Sequence, residues 1–166
     1  MKTLYLVRHA KSSWKHPELT DRERPLNKRG KKDAPFMGKL LKKRGEIPQL
    51  MVSSPAVRAH EIAKAFAEEF GFKIKKIRLN DKLYLPAVND FYGLLEEIPD
   101  NIKSLMLFSH NFGITDFANE ISDIQIDNIP TSGVTRIDFE SDSWNKIKGK
   151  RGKLIFFEYP SKYCNA

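Results

Sequence analysis

The stretch from Thr3 to Ala10, with the sequence TLYLVRHA, constrains the fold more than any other part of the chain. It begins as a continuous apolar, β-prone run and ends abruptly in Arg8-His9. A run of this kind is typical of a strand that is buried on both faces of a parallel sheet. Open α/β sheets bind their ligands at the carboxyl ends of such strands. The sequence therefore predicts that Arg8 and His9 lie at a ligand site.

Further apolar runs alternate with helix signals along the rest of the chain. The predicted strands are 3–10, 49–53, 73–79, 104–108, 133–139 and 153–159, and the predicted helices are 27–44, 54–70, 89–98 and 112–121. Strands that alternate with helices favour a parallel sheet covered on both faces. We therefore expect a three-layer α/β/α sandwich with a mostly parallel central sheet and an antiparallel edge strand, built as a single domain over residues 1–166.

Two of the predicted helices have recognisable ends. Asn27 is a candidate N-cap for the first helix, and Gly45 is its expected stop. Pro35 lies inside that span and is expected either to kink the helix or to mark its true first turn. For the second helix, the expected N-cap is Ser54, with Pro55 at the first helical position.

The charge of the chain is concentrated in its first third. The formal net charge is +8, and residues 1–50 contain 14 Lys and Arg against 5 Asp and Glu, whereas the remaining residues contain 15 against 16. A basic face attracts nucleic acid, acidic protein surfaces or phosphorylated substrates, although many of these lysines are equally well explained as a solvated helix face. Aromatic residues do not interleave with the lysines as a stacking platform for nucleic acid requires, so we expect no nucleic-acid partner.

Composition also indicates the compartment. The single cysteine, Cys164, excludes an internal disulfide and fits a reducing environment. No apolar run approaches the roughly 18 residues that a membrane span needs, and no signal peptide precedes the first strand. We therefore expect a cytoplasmic protein without a membrane partner. We also expect it to be a monomer.

Three strand-to-helix junctions contain residues suited to chemistry. They are Arg8-His9, the segment 53–58 that ends in Arg58, and Ser109-His110-Asn111. In a parallel sheet these junctions lie at one edge, where two helix N-termini add positive dipole ends. Such an assembly suits a tetrahedral dianion, because each arginine can bind two phosphoryl oxygens in a planar fork.

The same residues indicate a reaction. Nearby cations disfavour the protonated form of His9, so its neutral imidazole can attack phosphorus and form a covalent phosphohistidine. His110 is predicted to donate hydrogen bonds to oxygens whose charge grows in the transition state. The catalytic residues are thus predicted to be His9, Arg8, Arg58 and His110. No metal or cofactor is required, because the protein supplies the positive charge.

Substrate binding is assigned to Arg8, Arg58 and His110 and also to Ser12, Arg24 and Asn111, and the segment 12–14 is expected to form the rim of the site. Arg24 is equally well explained by a salt bridge with Asp21 or Glu23. Trp14 is expected to pack under the loop rather than to stack on substrate.

Two other histidines are predicted to be non-catalytic. His16 lies in a loop with no evident partner, and His60 lies two residues after Arg58 on the same helix, so the two side chains point in different directions.

These motifs resemble those of the histidine phosphatase superfamily, which has the phosphoglycerate mutase-like fold. Residues 8–10 are similar to its Arg-His-Gly/Ala signature, residues 53–59 to its second-arginine motif and residues 109–111 to its second-histidine motif. Residues 8–14 and 21–30 together are similar to the small SixA-type phosphohistidine phosphatases. The resemblance spans roughly residues 2–158. It implies that His9 is the nucleophile and that Arg8, Arg58 and His110 form the phosphate pocket.

The chain departs from its larger relatives in the region that contains their acidic proton donor. The segment 78–103 is short, and Asp81 is only a weak candidate for a general acid. A phosphohistidine substrate tolerates this absence, because its imidazole leaving group protonates readily near neutral pH. The sequence therefore favours a phosphatase that acts on a protein phosphohistidine, such as that of a phosphotransfer domain. The alternatives are a phosphatase of small phosphomonoester metabolites and a non-catalytic basic module that binds anions or nucleic acid.

Overall fold

The computed structural model describes residues 1–163, so the predictions that concern Cys164 lie outside the described residues. Its strands are β1 (Lys2–Arg8), β2 (Leu50–Ser53), β3 (Arg78–Leu79), β4 (Ser104–Ser109), β5 (Val134–Phe139) and β6 (Lys153–Glu158). Its α-helices are α1 (Lys28–Lys43), α2 (Val57–Phe70), α3 (Val88–Leu95) and α4 (Gly113–Ile121). Over residues 1–163, no helix is both long and apolar enough to span a membrane.

The strands form one six-stranded sheet in the order β3-β2-β4-β1-β5-β6. The first four strands of this order are mutually parallel, whereas β5 runs antiparallel to both β1 and β6. The prediction of a mostly parallel sheet with an antiparallel strand pair at one edge is therefore confirmed.

Strand β1 separates two hydrophobic cores because its side chains alternate between the faces of the sheet. Leu4 and Leu6 pack in a cluster with residues of α3 and α4. Tyr5 and Val7 pack in a second cluster with residues of α1 and α2. Both faces of the strand are covered by helices, which explains its uninterrupted apolar sequence and gives the three predicted layers.

The register of the sheet positions the candidate site. Strands β1 and β4 are neighbours, with Arg8 opposite Ser109, and the His9 backbone N–H donates to the Ser109 carbonyl at 3.0 Å. The residues that follow the two strands, His9 and His110, therefore lie next to each other. This adjacency depends on the strand order, which the sequence pattern does not specify.

Helix α1 begins seven residues before Pro35 and continues through it to Lys43, so Pro35 does not mark the first turn. The side chain of Asn27 accepts a hydrogen bond from the Gly30 N–H at 2.8 Å, as expected of an N-cap. Proline lacks the N–H that would bond to the carbonyl of Lys31, so the helix continues through Pro35 without that hydrogen bond.

The predicted strand 73–79 is wrong over most of its length. Residues Ile74–Lys76 form a 3₁₀ turn, and the strand is limited to Arg78–Leu79. Ile74 is partly exposed while Ile77 is buried, so the segment offers the core one apolar side chain instead of an alternating face. A short, basic edge strand of this kind also resists pairing with other chains.

Candidate active site

The structure brings the four predicted catalytic side chains together at the carboxyl end of the sheet. The rings of His9 and His110 lie with their centroids 5.2 Å apart. Arg8 is the last residue of β1, directly before His9, and Arg58 lies in the first turn of α2. Both guanidinium groups are close enough to lower the pKa of each imidazole.

The two ring nitrogens of His9 differ, because Nδ1 is hydrogen-bonded and Nε2 is available to react. Its Nδ1 lies 2.8 Å from the carbonyl oxygen of Ala10, and a carbonyl can only accept, so Nδ1 donates the proton. The neutral ring then has an unprotonated Nε2 with an available lone pair. Burial, together with the charges of Arg58 and Arg8, lowers the pKa of His9 to about 4. His9 is therefore neutral and potentially nucleophilic at neutral pH.

The two arginines each have a buried nitrogen without a protein partner. Arg8 donates from Nη1 to the carbonyl of Ile129 at 2.9 Å, and Arg58 donates from Nη1 and Nη2 to the backbone and carboxylate oxygens of Asp21 at 2.7 and 2.9 Å. Among the described residues, the Nε atoms of Arg8 and Arg58 are both buried without a hydrogen bond. A buried N–H donor without an acceptor lowers the stability of the fold, unless a bound ligand accepts its hydrogen bond.

His110 adds a third buried nitrogen of this kind. The side chain is 1% exposed, with Nε2 2.7 Å from the Ser54 hydroxyl and Nδ1 unpartnered within the described part of the chain. Burial, and next the charge of Arg58, lowers the pKa of His110 to about 2. Its ring also packs against the ring of Tyr84 in a T-shaped arrangement, with centroids 5.3 Å apart.

The predicted N-cap role of Ser54 is wrong. Helix α2 begins at Val57 with Ala56 at the N-cap, and Pro55 lies outside the helix. The hydroxyl of Ser54 instead accepts from the Ala56 N–H at 3.2 Å and pairs with His110. The Ser54 hydroxyl thus pairs with His110, which directly follows β4, and does not cap helix α2.

Asp21 connects the two sides of the site, whereas the sequence predicts it only as a possible partner for Arg24. Its carboxylate accepts hydrogen bonds from Arg58, Arg24 and Tyr84. Burial by itself would raise the pKa of Asp21, but the hydrogen bonds from Tyr84 and Arg58 lower it to about 2. The carboxylate is therefore ionised, and it orients the guanidinium groups of Arg58 and Arg24.

A cleft of about 420 Å³ opens beside His9. It is lined by Arg8, His9, Lys11, Ser12, Trp14, Arg24, Asn27 and Thr131. Arg24 donates to the Ser12 hydroxyl at 2.6 Å and forms the expected salt bridge with Asp21, whereas its contact with substrate stays a prediction. The prediction that Trp14 packs under the loop is wrong, since Trp14 is 79% exposed with the Arg24 guanidinium 3.7 Å from its ring centroid.

Asn111 has both ends of its side-chain amide engaged. It donates to the Asn128 side chain and accepts from the Thr115 hydroxyl. These bonds tie the start of α4 to the segment before β5. A contact between Asn111 and substrate stays a prediction, and the substrate would have to bind an amide that already makes both of these hydrogen bonds.

The other candidates lie apart from this cluster. Asp81 is 83% exposed and pairs with Arg22 at 3.4 Å, and His16 pairs with Glu18 at 3.5 Å. Over residues 1–163, no group of three or more His, Cys, Asp or Glu side chains is arranged to hold a metal ion.

Close backbone packing holds the loop after β1 in place. A Cβ atom at Gly30 would lie 2.2 Å from the carbonyl oxygen of Lys11, so the first turn of α1 can approach that loop only with glycine at this position. On the opposite side, the Ser132 N–H bonds to the carbonyls of both Arg8 and His9 at 3.2 and 3.0 Å. The backbone around the nucleophile candidate is thus fixed by two separate elements.

Comparison with known proteins identifies relatives of this arrangement. Residues 4–106 match the sequence profile of the histidine phosphatase superfamily (branch 1). An uncharacterized chloroplastic protein of Arabidopsis thaliana is 32% identical over 153 residues, which covers 86% of this chain and 69% of that one.

Solved structures support the same relationship. The crystal structure of an Agrobacterium tumefaciens protein assigned as the phosphohistidine phosphatase SixA has a TM-score of 0.80 and 27% identity, covering 96% of this chain and 98% of that one. The protein histidine phosphatase SixA complexed with tungstate also has a TM-score of 0.80, at 15% identity, covering 98% and 99%. A mycobacterial glucosyl-3-phosphoglycerate phosphatase has a TM-score of 0.74 at 14% identity, covering 96% and 100%. At such low identity the last two similarities concern the fold alone.

Proposed function

The chain belongs to the histidine phosphatase superfamily, and we propose that it hydrolyses phosphohistidine on a protein, with His9 as the nucleophile. The SixA-type fold and the family membership support a phosphatase. The proposal adds the substrate class and the roles of individual residues.

One observation supports the proposed phosphoryl pocket above the others. Three nitrogens on three different elements, Arg8 Nε, Arg58 Nε and His110 Nδ1, are buried without partners in the described structure. They belong to side chains that cluster around His9, and a phosphoryl group has three oxygens available to accept from such donors. A bound phosphoryl group would satisfy all of them.

The proposed reaction proceeds in two displacements. Nε2 of His9 attacks phosphorus, the P–N bond to the substrate imidazole breaks, and that imidazole leaves with a proton taken up from solvent. Water then attacks the phosphoryl group on His9, and inorganic phosphate and neutral His9 are released. The cationic and N–H donors stabilise charge on the equatorial oxygens in both transition states.

The acidic residues that could be considered as proton donors support a nitrogen leaving group. Asp21 is held ionised by Arg58 and Tyr84, with a pKa of about 2, so it is a poor proton donor at neutral pH. Asp81 pairs with Arg22 at the surface. An alkoxide leaving group needs a proton donor, whereas an imidazole has a pKa near neutrality and does not.

The open rim supports a protein substrate. Trp14 lines the cleft beside His9 and is largely exposed, and Lys11 is exposed at the same rim. An exposed tryptophan beside cations is suited to contact a protein surface, because such aromatic side chains contribute strongly to interfaces.

A small phosphomonoester is the second candidate. The cleft of about 420 Å³ is large enough for a sugar phosphate and includes Arg8, Lys11 and Arg24. One structural neighbour is a glucosyl-3-phosphoglycerate phosphatase.

A substrate panel tests the proposal. Turnover of a histidine-phosphorylated phosphotransfer domain is compared with that of free phosphohistidine, p-nitrophenyl phosphate and glycerate or sugar phosphates. We expect turnover of the phosphohistidine substrates, loss of that turnover in His9→Ala, and near-native turnover in the matched control His16→Ala. Mass spectrometry after an alkaline quench should locate the phosphoryl group on His9.

Other outcomes would select the alternatives. Turnover of phosphomonoesters without turnover of phosphohistidine would favour the small-molecule phosphatase. Full activity of His9→Ala would contradict the mechanism. Steeply salt-dependent nucleic-acid binding that survives His9→Ala, with no turnover of any substrate, would favour a binding module.

A further inference from the structure

We propose that Ser54 is a positioning residue that keeps the proton of neutral His110 on Nδ1, so that Nδ1 can donate to the phosphoryl group. The inference rests on the proposed function for the use of that proton, but the tautomer itself can be measured without any substrate.

The hydrogen bonds of Ser54 carry the argument. A serine hydroxyl has one proton to donate and two lone pairs to accept. The Ser54 hydroxyl accepts from the Ala56 N–H at 3.2 Å and lies 2.7 Å from Nε2 of His110. The residue is fully buried, so water does not compete for the proton.

Two arrangements of the proton are possible in this contact. In the first, the Ser54 hydroxyl donates to Nε2, and the ring proton is on Nδ1. In the second, Nε2 donates to the hydroxyl, which then accepts twice and has its own proton left over. Among the described residues, the Ser54 hydroxyl has no other hydrogen-bond acceptor, so the second arrangement buries an unsatisfied donor. The first arrangement satisfies every group in the contact.

The surroundings of Nδ1, on the other side of the His110 ring, also favour a proton on Nδ1. Nδ1 is buried, has no protein partner and belongs to the cluster formed with Arg8 and Arg58. With a proton, Nδ1 is a donor for a phosphoryl oxygen. Without one, it presents a lone pair to a dianion, which is repulsive. Ser54 therefore acts on the substrate through His110 and does not itself touch the reacting atoms.

The tautomer of His110 can be read directly in the wild-type protein. Long-range ¹H–¹⁵N NMR spectra of the phosphate-free protein at pH 7 distinguish protonated from unprotonated ring nitrogens, and the His110 signals are assigned by their loss in His110→Gln. We expect a protonated Nδ1 and an unprotonated Nε2. A protonated Nε2 in the wild type would overturn the inference, whether or not any variant folds.

Activity measurements test the consequence. Ser54→Ala removes the donor to Nε2, whereas the matched control Ser53→Ala removes an equally buried hydroxyl that donates to the Ser54 carbonyl. We expect kcat on free phosphohistidine to fall about 10- to 100-fold in Ser54→Ala with little change in KM, less than the roughly 10²–10³-fold loss from removing a transition-state donor itself. Ser53→Ala should retain most of the wild-type kcat.

The NMR spectrum of Ser54→Ala separates positioning from a general structural effect. We expect the His110 proton to redistribute towards Nε2, while the signals of His9, His16 and His60 keep their wild-type positions. An unchanged His110 tautomer in Ser54→Ala would overturn the inference, as would unchanged kcat. Loss of turnover in His9→Ala is a separate result, so failure of the proposed function and failure of this inference can be told apart.

Discussion

Replacing Asp21 by Asn tests how much the carboxylate contributes to holding the arginine cluster. Asp21 accepts hydrogen bonds from Arg58, Arg24 and Tyr84, and Arg58 is only 3% exposed. An amide at position 21 keeps the shape but removes the charge opposite a buried guanidinium. We expect Asp21→Asn to destabilise the fold, because a buried charge then loses its counter-ion.

The magnitude follows from the pKa of Asp21. The shift from 3.8 to about 2 sets an upper bound of about 2.5 kcal/mol on the contribution of the ionised carboxylate, at 1.36 kcal/mol for each unit. The Asp21 side chain is 42% exposed, so solvent screening reduces this contribution to about 1 kcal/mol. For a domain of this length the melting temperature should fall by about 2–4 °C.

The pH dependence has a definite sign. The folded-state pKa of Asp21 lies below the unfolded value, so its contribution is fully present above about pH 5 and is lost as the pH falls through about 2. Urea denaturation between pH 7 and pH 3 measures the difference in free energy of unfolding between the wild type and Asp21→Asn, here called the gap. About half of the gap should have disappeared by pH 3.

Asp81→Asn is the matched control for the loss of one carboxylate. Asp81 is 83% exposed, and among residues 1–163 its carboxylate pairs only with Arg22, at 3.4 Å, so we expect a change within about 0.5 kcal/mol. Equal stabilities of Asp21→Asn and Asp81→Asn at pH 7 would refute the reasoning. A gap that is as large at pH 3 as at pH 7 would also refute it, since the effect would then not depend on ionisation.

Three further outcomes are expected. Because the pKa of His9 is lowered to about 4, kcat/KM should stay level from neutral pH down to about pH 5 and fall as His9 is protonated around pH 4, and a fall centred near pH 6.5 would contradict this. Gly30→Ala should lower the free energy of unfolding by about 1–3 kcal/mol or more, because its Cβ would lie 2.2 Å from the Lys11 carbonyl oxygen. In the control Gly93→Ala, the nearest contact of the new Cβ is the flexible end of the Lys82 side chain at 3.5 Å. Equal stabilities of the two variants in urea would contradict this reasoning. Trp14→Ala should reduce kcat/KM on a histidine-phosphorylated phosphotransfer domain by about 10-fold or more while sparing free phosphohistidine, and equal losses on both substrates would show that Trp14 acts on the phosphoryl site itself.

Much of the fold follows from local signals in the sequence. The apolar run of β1 predicts a strand buried on both faces, and in the structure Leu4 and Leu6 enter one core while Tyr5 and Val7 enter the other. The prediction of a strand over residues 73–79 is wrong because isoleucines spaced among lysines resemble a strand even where only Ile77 reaches the core.

The site is predictable to the extent that it depends on strand ends. Arg8, His9, Arg58 and His110 follow or lie close to strand termini, and parallel strands present their carboxyl ends at one edge of a sheet. The fold class alone therefore predicts that these four residues lie at the same edge of the sheet. The 5.2 Å separation of the two histidine rings requires more, because it depends on β1 and β4 being neighbours in the sheet.

The interactions that orient these side chains were decided by tertiary structure. Asp21 and Tyr84 are 63 residues apart in sequence, and Ser54 and His110 are 56 apart. Each pair joins two loops whose paths are set by packing beneath them, and no local pattern encodes which loop side chains will meet.

The sequence by itself therefore determined most of the strands, the layers and the residues that meet at the candidate site, including Arg8-His9 at the end of the first strand. Tertiary structure alone decided how those residues are held. Apolar periodicity acts within one element and can be read along the chain, whereas the network around Asp21 and the contact between Ser54 and His110 depend on where separate elements are brought together in space.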